Sequence, residues 1–156
     1  MTVRDYETSD LRAIIAVFQR SVREVARRDY SPAQVAVWAP EPVDYGAWAE
    51  RLATGAVFVS RREDQLAGFA RIDATGEVDL LYVDPRFLRQ GVATELLASL
   101  VAWAKRNAVT RLAANVSITA RPFFEHAGFR LLRSQTVERS GVTLNNFRME
   151  RSVDAR

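Results

Sequence analysis

Cysteine is missing from the chain of 156 residues, and histidine occurs once, as His126. Without cysteine the protein has no disulfide scaffold, no Cys-ligated metal, no thiol nucleophile and no acyl-cysteine intermediate. A single histidine excludes a multi-His metal site and argues against a Ser-His-Asp triad. We therefore expect no metal.

Glycine and proline are scarce, and long apolar runs are absent. Seven Gly, five Pro and 48% hydrophobic residues exclude the collagen-like and disordered classes. The length fits one compact domain over residues 1–156. No apolar run approaches the ~18 residues of a membrane span, and the first residues, Met1 to Tyr6, include no apolar signal-peptide core. A cytoplasmic protein without membrane attachment is the expectation.

The charge balance is basic but small in net terms. The chain has 22 Lys+Arg against 19 Asp+Glu, a net charge of +3 and a pI near 9.8. Lys105 is the only lysine, so almost every basic residue is arginine. The arginines are interspersed with acids, which favours a solvated surface over a polyanion-binding patch. We expect no nucleic-acid partner.

Hydrophobic spacing predicts a mixed α/β domain in the order β-α-α-α-β-β-β-α-β-α-β-β. Helical spacing with capping residues indicates helices at about 11–28, 31–38, 44–53, 92–107 and 120–127. Alternating or apolar runs bounded by turn residues indicate strands at about 3–6, 57–61, 66–73, 77–83, 111–116, 129–138 and 142–150.

The most informative segment runs from residue 80 to residue 97. It is an apolar strand, an Asp84-Pro85 turn, a polar loop with Gly91, and a helix start. Free N–H groups at a helix N-terminus bind anions. The small residues Gly91 and Ala93 allow a phosphate to approach the backbone closely, and Arg86 and Arg89 add positive charge nearby. The pattern is neither a dinucleotide fingerprint nor a P-loop. On this segment alone, an ordinary strand-to-helix connection is the alternative.

A second segment, residues 115–129, reads as a strand, a short helix and a glycine C-cap. Taken together and in this order, the two segments resemble the GNAT superfamily of acyl-CoA-dependent N-acetyltransferases. The first motif is matched by Val83-Asp84-Pro85 and by residues 88–93, with Leu88 where Gln or Arg is usual. The second is matched by Ser117, Ala120, Phe123, Phe124, Gly128 and Phe129.

The resemblance covers the whole chain and implies a fold. That fold is a single-domain mixed, mostly antiparallel sheet of about seven strands, flanked by helices and splayed between the fourth and fifth strands. Segments around Tyr30-Ser31-Pro32, Trp38-Ala39 and residues 137–142 resemble the YafP-like branch of small bacterial members.

The resemblance also implies acetyl-CoA as cosubstrate and a set of residues that hold it. Backbone amides would bind the pyrophosphate, namely those of Arg89, Gln90, Gly91, Val92, Ala93 and Thr94. The strand edge at Leu81, Tyr82 and Val83 would pair with the pantetheine amides. The second motif would contribute Ser117, Ala120, Phe123 and Phe124, with Ser117 in place of the family's Asn.

A carboxylate on the fourth strand takes the amine proton in the family, and this chain offers Asp79 and Glu77 there. Both alternate with Leu81 and Val83, so all four are expected on one face. A carboxylate facing a half-buried cleft can act as a general base. We favour Asp79, which is deeper in the strand; a salt bridge to Arg71 is the structural alternative.

The family's proton-donating Tyr falls at Phe124, which has no proton to donate. Ser117, Thr119, Tyr82 or water are the options left for protonating the CoA thiolate. His126 is expected to be a surface residue of its helix.

The acceptor site is expected in the first helices and the last strand. Tyr30, Trp38 and Asn146 are candidate contacts, with Asn145 beside them, although aromatic residues at helical spacing are often simply core. The sequence predicts direct acetyl transfer to an amine, favours a small, partly apolar acceptor, and leaves a peptide open. A CoA-binding module without catalysis is the alternative function, and a homodimer is an option beside the monomer.

Overall fold

The computed structural model describes residues 3–154. Its strands are β1 (Val3–Asp5), β2 (Ala56–Arg62), β3 (Gln65–Ile72), β4 (Val78–Val83), β5 (Arg111–Ser117), β6 (Arg130–Arg139) and β7 (Val142–Ser152). Its α-helices are α1 (Leu11–Arg20), α2 (Pro32–Trp38), α3 (Tyr45–Leu52), α4 (Val92–Arg106) and α5 (Arg121–His126). The element order predicted from the sequence is confirmed.

The strands form two antiparallel sheets with the orders β1-β2-β3-β4 and β5-β7-β6. The sheets meet at one end only, where Glu77 and Ala113 form a parallel bridge and the Ala113 N–H donates to Gly76 O at 3.0 Å. Beyond this point β4 and β5 diverge and leave a gap. The expected seven-stranded, mostly antiparallel sheet, splayed between the fourth and fifth strands, is confirmed.

Helices cover both faces of the sheets and close two apolar clusters. On one face α4 packs against β2 and β3, and its apolar stripe of Val92, Leu96, Leu97, Leu100 and Ala104 is buried. On the other face α1 packs against β3, β4 and α3 around Phe18 and Phe69. The gap between β4 and β5 therefore opens between two rigid layers.

Gly68 on β3 sets how closely α4 approaches the sheet. A Cβ at this position would lie 2.8 Å from Tyr82 O and 2.8 Å from Val92 Cγ1. These distances are below normal van der Waals contact, so only glycine fits without displacing the first turn of α4.

The first helix departs from the continuous helix to Arg28 that its spacing predicts. The α-helical part ends at Arg20, a wide π-type turn follows over Ser21–Val25, and a 3₁₀ turn over Ala26–Arg28 closes the segment. Val22 and Ala26 are still buried, so the apolar pattern holds although the pitch changes. Ser21, Val22 and Val25 line the gap, and π-turns within helices often occur at functional sites.

Strand β4 contains a bulge at Asp79. In the β3–β4 pairing Arg71 lies opposite Leu80, while the next residue, Ile72, lies opposite Val78, so one residue of β4 is extra. Such a bulge interrupts strict alternation. Val78, Leu81 and Val83 accordingly pack in the cluster under α4, whereas Leu80 and Tyr82 pack with α1. The expectation that Glu77, Asp79, Leu81 and Val83 share one face is therefore wrong.

Candidate active site

A cleft of about 370 Å³ follows the gap between β4 and β5 and reaches the N-terminus of α4. Almost every residue that the sequence assigns to the cofactor lines it: Leu81, Tyr82, Val83, Arg89, Gly91, Val92, Ala93, Thr94, Ser117, Ala120, Phe123 and Phe124. The remaining one, Gln90, is exposed in the same loop. Two motifs about 25 residues apart thus converge on one cleft.

The loop before α4 has the geometry of an anion site. Arg89 and Gly91 adopt left-handed backbone conformations, with φ of 63° and 78°. The first hydrogen bond of the helix runs from Glu95 N–H to Gly91 O at 3.0 Å, so the N–H groups of the three residues between them have no acceptor inside the helix. Successive free N–H groups and the helix dipole bind phosphate. A Cβ on Gly91 would meet no atom within 4 Å, so a ligand can approach the backbone of Gly91 without obstruction.

A polar network fixes this loop to strand β2. Arg62 Nη1 donates to Glu95 Oε1 at 2.7 Å, and Arg62 Nη2 donates to Gln90 O at 3.3 Å. The buried Ser60 hydroxyl donates to the same Glu95 oxygen. The arginine thereby balances a carboxylate that would otherwise oppose an anion at the helix start.

Asp84 anchors the preceding turn. It is fully buried and accepts hydrogen bonds from the guanidinium groups of Arg20 and Arg86, at 2.6 Å and 2.9 Å for the shortest contacts. Arg86, expected to supply free charge to the anion site, is therefore committed to Asp84. Arg89 forms no ion pair or side-chain hydrogen bond within residues 3–154 and lines the cleft.

The facing edges of β4 and β5 carry open backbone groups. β4 pairs with β3 and β5 pairs with β7, and within residues 3–154 the Glu77–Ala113 bridge is the sole pairing between them. An extended ligand can add to such an edge as a further strand. The edge of β4 beyond the bulge is formed by Leu81, Tyr82 and Val83, the residues to which the sequence assigns this role.

Asp79 is held from one side only. Its Oδ2 accepts hydrogen bonds from Arg71 at 2.9 Å and Arg51 at 3.1 Å. Its Oδ1 is buried and has no hydrogen-bond partner in the described range. The salt bridge to Arg71 that the sequence offers as an alternative is thus present, yet one carboxylate oxygen stays available. Glu77 differs, because Arg148 binds both of its oxygens at 2.7 Å.

Tyr82 has a phenolic proton, which Phe124 lacks. Phe124 is buried between Phe123 and Phe129, with ring centroids 5.6 Å and 4.9 Å away. The Tyr82 hydroxyl accepts from Trp38 Nε1 at 3.3 Å. Burial raises the pKa of Tyr82, which keeps its proton at neutral pH.

Of the other two hydroxyls considered, Thr119 commits its proton to a hydrogen bond, whereas Ser117 acts as an acceptor. Thr119 donates to Asp29 at 2.8 Å, and Ser117 accepts from Ala120 N–H at 3.0 Å. His126 is exposed at the end of α5 and does not line the cleft.

A second cavity of about 210 Å³ adjoins the cleft on the side of α1 and α2. Tyr30, Trp38 and Asn146, the three predicted acceptor contacts, all line it, as does Asn145. Tyr30 is also core: it is buried, its hydroxyl donates to Asn145 O at 2.6 Å and accepts from Ile118 N–H at 3.0 Å. The two cavities share six lining residues: Trp38, Asp79, Leu80, Tyr82, Asn115 and Ser117.

Sequence reasoning missed three lining residues of the second cavity that carry charge or hydrogen bonds: Arg51, Asn115 and Arg139. Arg51 comes from α3 and Arg139 from the end of β6, far apart in the chain. No local pattern marks either one, because their meeting point is created by the packing of α3 and the β6–β7 hairpin.

The fold and this cleft are those of an acetyltransferase. The family model of the acetyltransferase (GNAT) domain matches residues 26–151, and the chain belongs to that family. It is 38% identical over 148 residues to the uncharacterized N-acetyltransferase YafP of Escherichia coli (strain K12), which covers 94% of this chain and 93% of YafP. The resemblance to the YafP-like branch is therefore confirmed.

Solved structures give the same result. The GCN5-related N-acetyltransferase (aminotransferase, class-II) from Rhodopseudomonas palustris superposes with a TM-score of 0.92 at 28% identity, covering 96% of this chain and 94% of that one. The PaiA N-acetyltransferase from Thermoplasma acidophilum, solved in complex with coenzyme A, has a TM-score of 0.76 at 17% identity over 97% and 99% of the two chains.

Two further observations concern ligands and membranes. Within residues 3–154, no group of three or more His, Cys, Asp or Glu side chains is placed to hold a metal ion. None of the helices in that range is both long and apolar enough to cross a bilayer.

Proposed function

We propose that the protein is an acetyl-CoA-dependent N-acetyltransferase that passes the acetyl group directly to the amine of a small molecule. The observation that carries this proposal is the junction of the two cavities at Asp79 and Tyr82. The cleft leads from that junction to an anion site suited to a pyrophosphate. The second cavity leads from it to the opposite side, so two substrates can meet in one ternary complex.

The residues present fit acetyl-CoA. Left-handed Arg89 and Gly91 and the free N–H groups of the first turn of α4 match a pyrophosphate, as does the Arg89 guanidinium, which has no ion-pair partner among residues 3–154. The open edge of β4 matches the amides of an extended pantetheine. When bound, acetyl-CoA supplies a thioester whose C–S bond breaks as the amine nitrogen forms its bond to the acetyl carbon.

Two side chains handle the protons in this proposal. Asp79 takes a proton from the amine through Oδ1, while Arg71 and Arg51 hold Oδ2 and fix the orientation of the carboxylate. Tyr82 gives its phenolic proton to the departing thiolate. Glu77 keeps β4 and β7 together through Arg148 and is the weaker candidate for the base.

Titration calorimetry with acetyl-CoA and with CoA tests the cofactor assignment. Micromolar binding, about −8 kcal/mol, is the expected result. An amine screen follows, in which Asp79→Asn lowers kcat by about 10²- to 10⁴-fold, the range of general acid–base catalysis, without changing CoA affinity. Asp64→Asn, in the exposed β2–β3 turn, is the matched control. Turnover of peptides alone would refute the small-molecule acceptor.

A CoA-binding module without catalysis is the second candidate, and the burial of Phe124 favours it. The usual proton donor is replaced by a core residue, and Leu88 is an exposed apolar side chain at the cleft. This candidate predicts CoA binding with no acetyl transfer to any amine. The amine screen therefore separates the two functions.

A further inference from the structure

The second cavity contains three polar groups whose bonding the protein leaves incomplete. Asp79 Oδ1 and Asn146 Oδ1 are buried and have no hydrogen-bond donor in residues 3–154. Arg139 lines the same cavity, is exposed, and forms no ion pair or side-chain hydrogen bond in that range. Buried oxygens without donors are costly and uncommon. The cavity is therefore suited to a ligand that brings N–H donors and a negative charge.

The other charges of the cavity are already balanced. Arg148 binds both oxygens of Glu77, and Arg51 with Arg71 binds Asp79 Oδ2. Among the described lining residues this leaves Arg139 as a cation without a counter-charge.

The charge of Arg139 acts across the cavity. Burial raises the pKa of Tyr82, and Arg139 is one of the positive charges that oppose this rise. Arg139 and Tyr82 both line the second cavity, so the guanidinium and the phenol belong to one site.

The positions of these groups determine the orientation of a bound ligand. Asp79 lines both cavities, whereas Asn146 and Arg139 line the second one alone. A reacting amine has to lie at Asp79, next to the cleft, and an anionic group then lies at Arg139, towards the mouth. Apolar side chains such as Phe18 and Leu144 complete the wall. At about 210 Å³ the cavity is smaller than the roughly 300–1,000 Å³ of pockets for drug-sized ligands, so the ligand is small.

We propose that the acceptor is a free amino acid with an apolar side chain, an inference that rests on the proposed function. Its amine donates to Asp79 and Asn146, and its carboxylate pairs with the planar fork of Arg139, which matches a carboxylate in geometry. The amine nitrogen gains the acetyl group as the C–S bond breaks. The ammonium group of the free amino acid first loses a proton to solvent. As the neutral nitrogen attacks, one further proton passes to Asp79, the thiolate takes the proton of Tyr82, and the products are an N-acetyl amino acid and CoA. The proton on Asp79 then returns through solvent to Tyr82.

Matched pairs of acceptors test the proposal. L-Leucine is compared with 3-methylbutylamine, and L-phenylalanine with 2-phenylethylamine, by the release of CoA thiol from acetyl-CoA. The expected kcat/KM is at least tenfold higher for each amino acid than for its amine. Arg139→Gln raises KM for the amino acids at least tenfold, because the partner of their carboxylate is lost, and leaves KM for the amines unchanged. Arg133→Gln, an exposed arginine on the same strand, changes neither.

An equilibrium measurement separates this inference from the proposed function. The same four compounds are titrated into the wild-type protein and both variants, each saturated with CoA. Amino-acid binding that Arg139→Gln abolishes, together with acetyl transfer to the same amino acids, supports the inference. The same binding without acetyl transfer overturns the amino acid as acceptor, and the proposed function then depends on the wider amine screen. Equal use of amines and amino acids, unaffected by Arg139→Gln, overturns the inference and leaves the proposed function standing. Neither binding nor transfer with any of the four compounds overturns the inference, whereas the proposed function fails only if the wider amine screen also shows no acetyl transfer.

Discussion

Replacing Asp84 with asparagine is expected to destabilise the protein by about 2 kcal/mol at neutral pH. The side chain is fully buried and accepts hydrogen bonds from Arg20, from the Arg86 guanidinium and from the Arg86 N–H. Burial alone would raise the pKa of Asp84, but the hydrogen bonds from Arg86 and Arg20 outweigh it and lower the pKa from 3.8 to about 2.

The magnitude follows from this shift in pKa. One pKa unit corresponds to about 1.36 kcal/mol, so a fall from 3.8 to about 2 gives about 2 kcal/mol of stability from the charged form. Because the pKa is lower in the folded than in the unfolded state, the whole contribution is present above the unfolded pKa. It is lost as the pH falls through the folded pKa, and about half is gone by pH 3. Asparagine keeps the shape of Asp84 without the charge.

Urea unfolding followed by tryptophan fluorescence at pH 7, 5, 4 and 3 measures the effect. The difference in unfolding free energy between wild type and Asp84→Asn should be about 2 kcal/mol at pH 7 and fall to about half that at pH 3. Asp64→Asn, an exposed turn residue, should stay within about 0.5 kcal/mol of wild type. A difference below about 0.5 kcal/mol at pH 7, or one that is the same at pH 3, would refute the reasoning.

Three further predictions concern the cleft. Gly68→Ala should lower the unfolding free energy by about 1–3 kcal/mol and weaken acetyl-CoA binding, because the new Cβ displaces the start of α4. Gly46→Ala, where the nearest contact of a Cβ is 3.6 Å, should change neither quantity. Thermal unfolding measures the stability of both variants, and calorimetry measures their affinity for acetyl-CoA. Tyr82→Phe should lower kcat at least tenfold and leave KM for acetyl-CoA unchanged, measured as initial rates. Arg62→Gln should weaken CoA binding at least threefold in calorimetry, because one positive charge that pairs with Glu95 at the helix start is then removed. Unchanged affinity would contradict this.

The fold and most of the lining of the cleft follow from short stretches of sequence. The turn at Asp84-Pro85, the loop with Gly91 and the apolar stripe of α4 are all local, so their spacing predicts a strand, an anion-binding loop and a helix. Asp84 itself was read only as part of a turn. Its buried pairing with Arg20, 64 residues away, depends on tertiary packing and has no local signal.

The acceptor half depends on long-range packing and was predicted in part. Trp38 and Asn146 both line the second cavity, and their contact with an acceptor stays a prediction; the alternation rule misplaces Asp79, because a bulge adds one residue to β4. A one-residue shift exchanges the two faces of a strand. Arg139 is missed for a different reason: an exposed arginine near a hairpin turn looks like any other solvated residue.

The arginine-rich composition, read from sequence as a solvated surface, has a more specific use around β4. Three carboxylates lie on or beside this strand, Glu77, Asp79 and Asp84, and arginines brought from other elements bind every one of them: Arg148, Arg51, Arg71, Arg20 and Arg86. Exposed ion pairs contribute little, but these acids are half-buried or fully buried. These pairs connect the region of β4, whose edge towards β5 is open, to α1, α3, β3 and β7. They also balance the acid at the junction, whereas Arg89 in the cleft and Arg139 in the second cavity form no ion pair within residues 3–154.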